Sequence, residues 1–404
     1  MNKKPLLTIS LLSLALVSTA VFAGPREQAK RIHDRIAGVP PSDQVLANME
    51  ALLADANPDN DIDAALMATA NPEFYRVSLK NFAASWTNRD QSQFVALNDY
   101  TATVIGLVRD ELDFRQVLYG DIIYIGNPSL GLPAYANGNN NHYEALENQG
   151  IDLQAELVQR TQSSVNGLPS EATAGVMTTR AGAQAFFIAG TNRAMLRFTL
   201  LNHLGRDLEQ LQDTSRSPDR IRQDVSRSPG GDSRIFLNNC VSCHSGMDPL
   251  AQAFAYYNFS YDANNDPTGI NGQLVYNSAG QTDPDTGTRV VGKYHINSNN
   301  FPFGYITPDD GWDNYWRAGV NSLLGWDSTL TGSGNGAKSL GMELAHSRAF
   351  AEYQVTKVFR SVCLREPGDS NDRGQVTTIT NSFIANGHNL KRVWAEVALY
   401  CKGE

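Results

Sequence analysis

Cys240-Val241-Ser242-Cys243-His244 is the stretch on which the reading of this chain turns. Two cysteines separated by two residues, followed at once by a histidine, form the C-x-x-C-H arrangement through which haem c is attached. On one helical turn the two thiols reach the two vinyl groups of a single porphyrin and form thioethers. The next residue, His244, then lies over the iron and binds it through an imidazole nitrogen. Cys240, Cys243 and His244 are therefore the expected cofactor-binding residues, His244 is the expected iron ligand, and one covalently held haem c is the expected cofactor. A zinc ribbon needs a second C-x-x-C or closely paired histidines downstream, and the sequence has neither. A thioredoxin-type redox pair needs a preceding strand in a βαβ context, which Asp232-Ser233-Arg234 does not offer.

The residues after the motif extend the reading. Ser245-Gly246-Met247-Asp248-Pro249-Leu250 follows directly, and an apolar helical run continues from Gln252 to Tyr257. Here the chain resembles a group of secreted bacterial cytochrome c proteins, abundant in planctomycetes, with the pattern C-x-x-C-H-x-x-[MI]-D-P-L-G. Met247, Asp248, Pro249 and Leu250 stand in register, and Ala251 replaces the usual Gly. That group carries a helical domain before its cytochrome domain. Asp113-Phe114-Arg115-Gln116-Val117-Leu118, Thr178-Thr179-Arg180 and the run 197–211 echo it. The resemblance covers 110–400 loosely and implies a haem domain, with little about a substrate.

Working outward, the start of the chain reads as an address. Lys3 and Lys4 precede an uncharged apolar run, 6–22, and Val21 and Ala23 are small residues before Gly24. This is the layout of a secretory signal peptide, 1–23, and the run is short for a bilayer span. The expected location is an oxidising compartment, the bacterial periplasm or cell surface, with no membrane span after cleavage. There, two cysteines outside the haem motif, Cys363 and Cys401, are expected to pair as a disulfide. With no further C-x-x-C, the chain is expected to hold a single haem.

Composition narrows the class. Of 404 residues, 41% are hydrophobic, enough for a sizeable core; 33 Lys+Arg against 42 Asp+Glu give a net charge of −9. That balance argues against nucleic acid as a general partner, since phosphate binding needs a basic surface. The expected fold is mainly α. It comprises an N-terminal helical domain, 24–217, a polar linker at 218–232, and a C-terminal cytochrome c-like helical haem domain with long loops, 218–404. Helices are expected over 24–39, 42–54, 98–124 (capped by Asp99), 183–211, 340–362 and 389–400. Trp312, Tyr315, Trp316 and Trp326 are expected to be core around the haem rather than a substrate platform.

A second axial ligand is not readable. Met247 follows too soon after His244 to cross the iron. Met342, His203 and His295 are weak candidates. His33, His142, His346 and His388 lie in polar contexts and are expected to be exposed. Arg220, Arg222, Arg227 and Arg234 offer forks for haem propionates, or simply a solvated linker. The expected function is one-electron transfer with redox proteins or a small-molecule donor or acceptor. The alternatives are a haem enzyme of peroxide or oxygen chemistry with an open iron position, and a partner-binding protein with an accessory haem.

Overall fold

The computed structural model describes residues 23–55 and 57–403. The expected leader therefore lies outside the described residues, apart from Ala23. The chain is mainly helical, with three antiparallel two-stranded sheets among the described residues.

Local sequence sets the first helices. Pro25 opens Pro25–Ala37 at its first position, and Gly38 closes it at φ 76. The Ser42 side chain caps Asp43–Ala54 by accepting from the Val45 N–H. Ile32, Ile36 and Met49 then point into the core.

The expected helix over 98–124 is shorter. It runs Asp99–Arg109 and breaks where Glu111 takes φ 55. A turn Gln116–Tyr119 follows, and Ile123–Gly126 is a strand paired with Leu157–Arg160, Ile123 opposite Arg160. Its cap is Asn98, which accepts from Thr101 N–H. Asp99 caps a different helix: its carboxylate accepts from the backbone of Arg180 at 2.6 Å and of Ala181 at 3.0 Å. Burial pushes the Asp99 carboxyl above its ordinary range, against the pull of these backbone bonds.

The expected helix over 183–211 is also broken. Arg180–Phe186 ends, and Ala189, Gly190 and Asn192 have positive φ before Arg193–Thr199 begins. Near the end of the chain, Ser347 stops one helix and caps the next, giving Gly336–Ala345 and Arg348–Cys363. Ser370–Ala385 and Leu390–Tyr400 complete the set.

The boundary expected at 217/218 does not separate two cores. Leu390–Tyr400 packs on Pro25–Ala37, Pro58–Ala68 and Arg348–Cys363. Trp394 meets the Phe74 and Phe82 rings edge-on at 5.2 and 5.3 Å. Lys402 pairs with Asp61 at 3.0 Å. One continuous apolar cluster runs from Ala29 to Ala398 and includes Met247, Leu250 and Trp316. The polar linker expectation is likewise corrected. Ile221 and Arg222 are buried, and 221–223 is tied to 301–305 by Phe301 N–H to Gln223 O and Tyr305 N–H to Ile221 O, both 3.0 Å. Its two ends stay exposed, 218–219 on one side and most of 228–235 on the other.

Cys363 and Cys401 form a disulfide with Cα atoms 5.5 Å apart. No helix among the described residues is long and apolar enough to cross a membrane.

Candidate functional site

The C-x-x-C-H residues sit where two helical segments join. Phe236–Cys240 is a turn of wide π-type helix, and Val241–Ala251 continues it as α-helix. Cys240 therefore ends one segment, while Cys243 and His244 occupy the first turn of the next. Both thiols are unpaired and half-buried. The Cys243 thiol lies 3.6 Å from the Leu208 carbonyl, and burial raises its pKa.

The helix is held by Asp213 and by Trp316. Asp213 N–H donates to Ser242 O at 2.9 Å, and the Ser245 hydroxyl donates to Asp213 O at 3.3 Å. At Gly246 the backbone runs against the Trp316 ring, leaving no room for a side chain. Trp312 and Trp316 are core residues and Trp326 packs on the same core, whereas Tyr315 lies outside it, partly exposed, and donates its hydroxyl to Asp219 at 3.1 Å.

His244 is one-fifth exposed and turns its Nδ1 toward Asp248, at 3.2 and 3.3 Å from the two carboxylate oxygens. The spacing of four places both on one helix face. That contact leaves Nε2 as the nitrogen able to bind a metal. The Asp248 side chain is wholly buried. Burial alone would raise its carboxyl pKa, but Arg193 and His244 hold it well below the ordinary carboxylate range. Arg193 Nε and one terminal nitrogen reach Asp248 at 2.6 and 2.9 Å. The same guanidinium reaches Asp224 at 2.6 and 3.0 Å. Arg222 N–H also donates to Asp248, at 3.2 Å.

The four arginines before the motif have other partners. Arg220 pairs with Asp313 and Arg234 with Asp232. Arg222 is buried, lies 4.6 Å over the Tyr294 ring and donates to the Thr191 hydroxyl at 2.9 Å. Arg227 lies against the Phe236 and Phe301 rings at 4.7 and 4.5 Å.

The axial candidates are scattered. His203 is buried in the core, with Nε2 bonded to the Tyr100 hydroxyl at 2.8 Å and rings of Trp86 and Phe350 around it. Met342 is over one-third exposed on Gly336–Ala345. His295 Nε2 is buried without a partner. Among the described residues no hydrogen bond links these three to the 240–244 turn. The expected exposure of His33, His142 and His388 is overturned, because all three are buried. His142 fixes a turn: its Nδ1 contacts Pro133 O at 2.6 Å and its Nε2 accepts from Gly126 N–H at 2.8 Å.

Sequence reasoning did not single out Asp248, Arg193 and Asp224 as one cluster. The spacing of four from His244 to Asp248 is a readable signal, whereas the two Arg193 contacts span 55 and 31 residues and leave none. Among the described residues, no group of three His, Cys, Asp or Glu side chains is placed to hold a metal ion. A zinc site would require such a group, whereas a porphyrin supplies most of an iron's ligands itself. No family model, curated protein or solved structure matches the chain.

Proposed function

We propose that this chain is a monohaem c-type cytochrome that carries single electrons in the bacterial periplasm or at the cell surface. The observation that carries the reading is the placement of two unpaired thiols and an imidazole across one helical junction, with the chain's other two cysteines joined elsewhere. Cys240 and Cys243 would hold haem c through thioethers, each thiol adding across a vinyl group without an oxidant. His244 would bind the iron through Nε2, with its tautomer set by Asp248. The bound group would supply a reversible ferric–ferrous couple. The protein's own contribution is to fix that imidazole, to bury the carboxylate behind it and to seat the helix on Trp316. Ile235 and Leu237, exposed apolar residues just before Cys240, fit a surface that meets an apolar ring. The basic, apolar layout of 1–23 supports export.

The carboxylate behind His244 favours a second reading, peroxide or oxygen chemistry, because it makes the proximal imidazole a stronger donor. An absorption spectrum of the purified haem-bearing protein separates the two. A low-spin iron that binds neither carbon monoxide nor cyanide supports the carrier. A high-spin ferric iron that binds them supports the enzyme. Absence of covalent haem after expression with a haem-attachment system overturns both.

A further inference from the structure

His244, Asp248, Arg193 and Asp224 form a series of contacts that runs inward from the attachment turn. The imidazole Nδ1 meets the carboxylate of Asp248 at 3.2 Å. That carboxylate is gripped by the Arg193 fork at 2.6 and 2.9 Å, and the fork is shared with Asp224 at 2.6 and 3.0 Å. The Asp248 side chain is fully buried, and those of Arg193 and Asp224 are less than one-fifth exposed. Such charges are screened far less than surface pairs. Arg222 also lies close, but its guanidinium is engaged by Thr191 and Tyr294.

The two charges nearest His244 act in opposite senses. A carboxylate accepting from Nδ1–H makes the imidazole a stronger donor through Nε2, which favours the ferric state. The guanidinium on the far side of that carboxylate draws its charge away and favours the ferrous state. On the reading of this site as a haem c site, we propose that Asp248 and Arg193 are opposed positioning residues that set the iron's potential. Asp248 lowers it and Arg193 limits the fall.

The test is a redox titration of the haem-loaded full chain and two variants. Asp248→Asn keeps the shape and removes the negative charge, and Arg193→Gln removes the positive one. The expected result is a midpoint potential shifted upward in Asp248→Asn and downward in Arg193→Gln, with covalent haem stain equal to wild type. A purely structural role would not split the signs. Shifts of the same sign, or no shift in either variant, overturn the proposal. Where Asp248→Asn does not fold, Asp224→Asn replaces it, and its shift must again be upward. A wild-type chain without haem stain overturns the haem reading and this proposal with it. A stained wild type with unsplit shifts overturns this proposal alone.

Discussion

A Cβ added to Gly246 would fall 2.1 Å from Nε1 of Trp316. The helix that carries Cys243 and His244 is thus seated directly on a fully buried indole. Gly246→Ala must push the ring or the helix aside, an overpacking cost of about 1–3 kcal/mol. A lowered thermal midpoint and a shifted tryptophan fluorescence are expected. Gly138→Ala, with nothing within 4 Å of the new Cβ, is the control and should melt like wild type.

Replacing both Cys240 and Cys243 by Ala should abolish covalent haem, read as loss of peroxidase stain on a denaturing gel. Either single variant should retain a weaker band through one thioether. Stain that survives in the double variant would show that the motif does not hold the group.

The Cys363–Cys401 disulfide closes a sequence separation of 38. In the chain-entropy view that constraint contributes about 3–4 kcal/mol by restricting the unfolded chain. Reduction should lower the thermal midpoint clearly. It should release no haem, because thioethers resist thiol reductants. An unchanged midpoint after reduction, checked by thiol counting, would contradict this.

Acid should destabilise the fold through its buried histidines. Burial, with help from Arg115, pushes His388 from the ordinary 6.5 down to about 4. Burial, with Lys357 nearby, pushes His203 well below 6.5. The unfolded chain therefore binds protons that the folded state refuses, and stability is lost as pH falls below about 6.5. The thermal midpoint should drop between about pH 7 and about pH 4.5. His388 has φ 59, a conformation Asn also tolerates. His388→Asn should show a smaller drop over that interval than wild type, and an equal drop would remove His388 from the account.

How far the sequence could be read follows the range of each interaction. Pro25, Gly38 and Ser42 act on their own neighbours, so the first helices were legible. The C-x-x-C-H turn is equally local. The break after Arg109 was not, because Glu111 in a left-handed conformation carries no strong sequence mark. Asp99 has the sequence position of a cap for its own helix, but its partners, Arg180 and Ala181, lie about eighty residues away. Two domains were expected because 218–232 is polar. Composition does not show that Ile221 is wholly buried or that Trp394 reaches Phe74. His33 and His142 are hidden for the same reason, since their partners are backbone atoms, which no residue type announces.

Leu390–Tyr400 supplies the wall against which Pro25–Ala37 and Pro58–Ala68 are packed. The helices made first are thus fully walled only once the last helix is in place. Contacts of such long sequence separation form slowly, since the intervening chain must be gathered before they repay its entropy. While the chain grows, the 240–244 turn is synthesised before Trp316 exists to seat its helix. Anything to be joined to Cys240 and Cys243 therefore has a period in which the thiols are presented on an unfinished surface.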